Sequence, residues 1–162
     1  MAAAGVGYFL TGRPVHEEYR TAVGEQRSIT LADHSMVNLN TDTALDVTLS
    51  KNLRRVDLHH GEAFFSVAHD PSRAFEVWAA GGKVRAVGTQ FGVAIDRDDV
   101  TVSVLEGIVV VQPLATGAAP RVAANQSVRY RSGGTIGTVG VADVNRINGW
   151  REGKLVFERV PL

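Results

Sequence analysis

Arg55-Val56-Asp57-Leu58-His59-His60-Gly61-Glu62-Ala63-Phe64-Phe65-Ser66-Val67 is the stretch that decides the fold class of this chain. Val56 and Leu58 stand two apart, as do Ala63, Phe65 and Val67, and a glycine beside an acid separates the two sets. A period of two puts each set on one face of a β-strand and leaves neighbours such as Asp57 on the other. Glycine supplies positive φ and the acid closes local hydrogen bonds, so His60-Gly61-Glu62 reads as a turn between strands.

The same texture extends in both directions. Upstream lie Ile29/Leu31, Val37/Leu39 and Leu45/Val47/Leu49. Downstream lie Phe75/Val77, Phe91/Val93/Ile95, Val102/Val104 and Val109/Val111. Turn chemistry falls between them at Gly24-Glu25, Asp33-His34-Ser35, Gly81-Gly82, Asp96 to Asp99 and Glu106-Gly107. Sets recur roughly every 8–10 residues, the spacing of an all-β sandwich, barrel or solenoid. No stretch from Tyr19 to Val111 keeps an i, i+3, i+4 apolar face over three turns. The sequence therefore predicts an all-β fold of many short, mostly antiparallel strands in a sandwich- or solenoid-like stack, read as a chain of hairpins. At most one short helix is expected, near 142–149, with Asp143 as N-cap and Gly149 as stop. A turn at Trp150 and a final strand through Leu155 to Phe157 follow it.

Composition narrows the function. The chain has 162 residues, 44% of them hydrophobic and 21% charged, enough to bury a core without disulfides. Seventeen basic residues balance seventeen acidic ones, so no global field favours nucleic acid or an anionic membrane. There is no cysteine, which excludes a disulfide scaffold, thiolate zinc sites and a cysteine nucleophile. Met1 to Leu10 is small, apolar and uncharged, but shorter than the roughly 20 residues that cross a bilayer. It also lacks the basic region and cleavage site of a signal peptide. The end of a transmembrane helix and a disordered terminus both fit it.

The candidate chemistry has a structural explanation at each point. His59-His60 and His69 lie near Glu62 and Asp70, but neighbours on a strand face opposite ways and no HExxH or paired-ligand spacing occurs. Asp96-Arg97-Asp98-Asp99 lacks the alternating ligands and distal Glu of a calcium loop. Glu62 and Glu106 each abut a turn glycine, where an acid accepts backbone N–H bonds, so they read as framework and not as acid–base catalysts. Gly81-Gly82-Lys83 matches no phosphate-loop pattern, and no nucleophile motif is present. Arg54-Arg55 and Arg129/Arg131 are basic pairs without an aromatic stacking platform. Trp78 is the one candidate for an exposed sugar-binding aromatic, the feature that a carbohydrate- or ligand-binding β domain would need. Trp150 reads as an anchor of the C-terminal strand. No catalytic residue, metal ligand or cofactor is assigned.

What remains is a set of short motifs in fixed order. Gly24-Glu25-x-Arg27 leads into Leu31-Ala32-Asp33-His34-Ser35, and Gly61-Glu62-Ala63-x-Phe65-x-Val67 follows. Next come Gly88-Thr89-x-Phe91 and Val104-x-Glu106-Gly107-x-Val109, then Ala124-Asn125-Gln126. The last is Trp150-Arg151-x-Gly153-x-Leu155-x-Phe157.

This order resembles the extracytoplasmic portion of the FecR family of transmembrane anti-sigma regulators, over about residues 19–162. His34 stands where the family's turn has glycine. The resemblance implies that residues 1–18 hold the end of a transmembrane helix and a membrane-proximal linker, and that 19–140 form the FecR-like all-β domain. Residues 141–162 would lead to a further C-terminal domain. It also implies an inner-membrane protein whose periplasmic part relays a signal from a TonB-dependent receptor, through that receptor's periplasmic signalling domain. A sigma factor of the extracytoplasmic-function type would be held by a cytoplasmic segment, and regulated proteases would release it.

Overall fold

The computed structural model describes residues 13–152. Thirteen strands follow one another: β1 (Val15–Arg20), β2 (Arg27–Thr30), β3 (Met36–Leu39), β4 (Ala44–Leu49), β5 (Arg54–Ser66), β6 (Phe75–Ala79) and β7 (Gly82–Ala86). Then come β8 (Gln90–Asp96), β9 (Asp99–Glu106), β10 (Ile108–Pro113), β11 (Arg121–Ala123), β12 (Gln126–Arg131) and β13 (Gly140–Val141), and the helix α1 (Val144–Arg151). Among the described residues no helix is long and apolar enough to cross a bilayer.

The strands make one continuous sheet folded into two facing halves that share β5. The first half runs β1-β4-β5-β6-β7-β10-β11 and the second β2-β3-β5-β8-β9-β12-β13. Both orders follow the sequence, so the stack grows in one direction as the chain alternates between halves. The fold is thus a sandwich in cross-section and solenoid-like along its length, as the periodicity predicts. The inward sets fill the space between, with Val37, Val56, Phe65, Phe75, Val77, Phe91, Val93 and Val111 fully buried. Phe65 stacks on Phe91 at 5.3 Å and meets Phe75 at 5.8 Å. Tyr130 of the second half donates its hydroxyl to the Ala79 carbonyl of the first at 2.5 Å and ties the halves together.

Three expectations are corrected. His60-Gly61-Glu62 is not a reversal: β5 runs unbroken for thirteen residues and passes from one half to the other at Gly61. Glu106-Gly107 does the same between β9 and β10. Periodicity cannot tell a crossing from a hairpin, because both can place a glycine at positive φ (90° at Gly61 and 84° at Gly107 in crossings, 80° at Gly81 in a hairpin). The chain is also not purely a succession of hairpins, since β5 and β6 pair in parallel, with Arg54 beside Phe75 and Leu58 beside Ala79.

The helix supplies the third correction. Asp143 caps it, its Oδ1 accepting from the Arg146 N–H at 3.1 Å, but Gly149 does not stop it. Ile147 and Gly149 are buried and the helix continues through Trp150 and Arg151. Burial of that face overrides glycine's low propensity. Trp150 therefore sits on a helix, not in a turn. The expected strand through Gly153, Leu155 and Phe157 lies outside the described residues, as does Met1 to Leu10. At the other end, β1 starts at Val15, so residues 15–18 of the expected linker form an edge strand paired with β4.

Candidate functional site

The parallel β5–β6 pair sorts the motif residues onto two opposite rims. Up to β5 the chain changes halves at one end of the strands: at 21–26, at 40–43 and at Gly61. After β6 it changes at the other end: at 87–89, at Gly107 and at 124–125.

The first rim is a ladder of hydrogen bonds between successive crossings. Thr21 Oγ1 donates to the Asn40 carbonyl (2.6 Å) and accepts from the Thr43 N–H (2.9 Å). Thr43 Oγ1 in turn accepts from the Glu62 N–H at 3.1 Å, and the Asn40 N–H reaches the Glu62 carbonyl at 2.9 Å. Gly24 donates its N–H to Thr41 Oγ1, and Glu25 Oε1 accepts from the Ala22 N–H. Gly61 must be glycine here: an added Cβ would lie 2.3 Å from Thr43 Oγ1 and 2.6 Å from Thr43 Cα.

Helix α1 docks on this rim. Arg146 grips Glu62 with both nitrogens, at 3.1 and 2.5 Å, and hydrogen bonding to that carboxylate holds the guanidinium charged above its usual range. Arg151 lies over the ring of Phe64 at 3.6 Å. Phe64 faces away from the core yet is fully buried. Among the described residues the Glu62 carboxylate accepts from the Asn40 side-chain amide at 3.2 Å and from Arg146, and from no backbone N–H. Glu62 is therefore a latch for the helix and not the turn framework that its place beside Gly61 suggests; that role needed a partner 84 residues away. Trp150 is half-buried on the same helix, with its indole Nε1 enclosed.

The second rim is built on a buried charge. Arg54, which reads in sequence as half of a basic pair, has no exposed surface, whereas Arg55 points outward as strand alternation requires. Arg54 donates to Asp33 Oδ2 and to the carbonyls of Ala68, Asp70, Arg73 and Val87. Asp33 also accepts from the N–H and hydroxyl of Ser35. His34 between them takes φ 72°, so it keeps the left-handed backbone that glycine would adopt. Hydrogen bonds from Ser72 and then Arg73 hold the half-buried Asp70 carboxyl well below the usual carboxylate range. Gly88 abuts His69, where a Cβ would lie 2.7 Å from Nδ1. Gly107 abuts the Thr89 methyl at a similar distance. Thr89 is buried and Glu106 is exposed at the end of β9.

The remaining candidates are absorbed by structure. His59 pairs with Asp46 at 2.9 Å, and His60 meets the Asp42 carbonyl. Asp96 to Asp99 is a hairpin turn with Arg97 at φ 58°. Trp78 stands on the outer face, but Arg55 and Lys83 lie against its ring at 4.3 and 5.2 Å and its indole N–H donates to Glu76. A ring already held by two cations is a poor platform for a sugar.

A family model described as "FecR protein" matches residues 17–110, more than half of the chain. The chain belongs to the FecR family. Two crystal structures of a protein from Parabacteroides distasonis ATCC 8503, assigned as an anti-sigma factor, share this fold. Each is 29% identical over 90% of this chain and 69% of that one, with a TM-score of 0.77. No curated protein sequence matches at a significant level. This FecR chain is thus an all-β domain of a signalling regulator of the anti-sigma class. The family match spans both rims, from β1 through Gly107, so the glycines and acids of the motif coincide with the crossings that shape the FecR fold.

Proposed function

We propose that this domain is the periplasmic relay of a single-pass inner-membrane anti-sigma regulator. It takes a signal from the periplasmic signalling domain of a TonB-dependent receptor by protein–protein contact. A cytoplasmic segment of the same protein holds an extracytoplasmic-function sigma factor, which regulated proteolysis releases. The carrying observation is family membership in a stack whose end strands, among the described residues, keep one edge unpaired. β1 and β2 at one end, and β11 and β13 at the other, each pair with a single neighbour. Free strand edges accept a partner's strand through main-chain hydrogen bonds. β1 is the first described strand and, among the described residues, an edge held by β4 alone.

The test joins binding to output. The purified domain is titrated with the receptor's periplasmic signalling domain, and a sigma-dependent reporter is read in cells carrying the full-length regulator with and without this domain. Saturable binding, together with loss of receptor-dependent reporter induction on deletion, supports the relay. Normal induction without the domain would overturn it.

A further inference from the structure

Sheet register assembles a group of ligands that sequence spacing hides. On the outer face of the first half, Glu18 of β1 stands directly opposite Asp46 of β4, and Asp46 stands opposite Asp57 of β5. Like charges at opposed positions destabilise a strand pair, so this lateral row of three carboxylates needs cations. Arg55 serves Asp57, reaching both of its oxygens at 2.7–3.2 Å. Glu18 has no ion-pair partner among the described residues. His16, two residues away on the same face of β1, completes a cluster. Ligand atoms of His16, Glu18 and Asp46 all lie within 4.8 Å of one another.

We propose that His16, Glu18 and Asp46 bind a divalent transition-metal ion, with His59 positioning Asp46. One imidazole and two carboxylates suit zinc, manganese or ferrous iron. Such donors bind zinc at about 2.0–2.2 Å, so small rotations of these side chains are enough to close the site. The surroundings are already arranged for it. Thr48 Oγ1 engages His16 Nδ1 at 3.0 Å and leaves Nε2 to ligate. His59 Nε2 engages Asp46 Oδ2 at 2.9 Å and leaves Oδ1. Contacts of this kind fix ring and carboxylate orientation in metal sites. The ion bridges two strands, and one of them is an edge held by a single neighbour. Metal binding therefore clamps β1 to β4.

The test uses the 162-residue chain without an affinity tag, titrated with Zn2+ by calorimetry and with Co2+ by visible absorption. One ion per chain is expected. Binding is lost in Asp46→Asn and Glu18→Gln, weakened about 10–100-fold in His59→Ala, and kept in His60→Ala and His69→Ala. Histidine-selective NMR of the unmodified chain needs no variant to fold: Zn2+ shifts the His16 ring and leaves His60 and His69 in place. Amide exchange along β1 slows when Zn2+ is bound. Absence of saturable binding, binding that survives both carboxylate changes, or ring shifts confined to His60 and His69 would each overturn the site.

Discussion

Arg54 and Asp33 form an ion pair with almost no exposed surface, the guanidinium Nη1 lying 3.1 Å from Oδ2. The pair joins the start of β5 to the β2–β3 turn and, through four carbonyls, to the 67–74 connection and Val87. Asp33→Ala leaves a buried charge uncompensated, so a loss of about 3–5 kcal/mol is expected in urea unfolding. Arg54→Met also destabilises, and the double variant costs less than the sum of the two, because neither charge is then left alone.

The crossing glycines predict a graded series. Gly61→Ala and Gly107→Ala combine left-handed backbone with contacts under 3 Å to Thr43 and Thr89 respectively, so each loses at least about 2 kcal/mol or fails to fold. Gly117→Ala, with nothing within 4 Å, loses only the backbone strain, about 1 kcal/mol. Thermal melts of the three variants give the order directly.

Tyr130 predicts an alkaline limit. Burial pushes its hydroxyl above the ordinary tyrosine value of 10, so the fold binds the neutral form. A raised folded value gives stability that is complete below pH about 10 and lost as pH rises beyond it. Tyr19, raised by partial burial and by Glu17, acts in the same direction. Tyr130→Phe costs about 1–2 kcal/mol at neutral pH through the Ala79 carbonyl it abandons. It also flattens the alkaline decline, which chemical denaturation at pH 8 to 11 measures.

The Glu62–Arg146 contact predicts a local effect. Arg146 is about half exposed, so the pair contributes about 0.5–1 kcal/mol despite its two-point geometry. Glu62→Gln is expected to leave the melting midpoint nearly unchanged and to speed amide exchange across residues 144–151. Slower exchange or a large drop in midpoint would contradict a latch that acts only on the helix.

Strand alternation and glycine placement are local signals, so the all-β class, the inward sets and the capping role of Asp143 were all legible in the sequence. The direction of the chain after each glycine was not. Gly61, Gly107 and Gly81 carry similar φ, yet the first two lie at crossings between halves and the third lies in the β6–β7 hairpin. The backbone conformation is local, but the strand that the next segment joins is chosen by non-local pairing. The metal cluster escaped for the same reason, since His16, Asp46 and His59 lie on three strands and meet only through register.

The stretch from Arg55 to Val67 by itself determined that this protein is built from strands with one apolar face, because a period of two has no other compact use. It also fixed which residues face the core. Tertiary structure alone decided that β5 serves both halves, that the inward Arg54 meets Asp33 and four carbonyls, and that Glu62 holds a distant helix. Those outcomes depend on partners far along the chain, and a side chain's environment is set by the segments that fold against it.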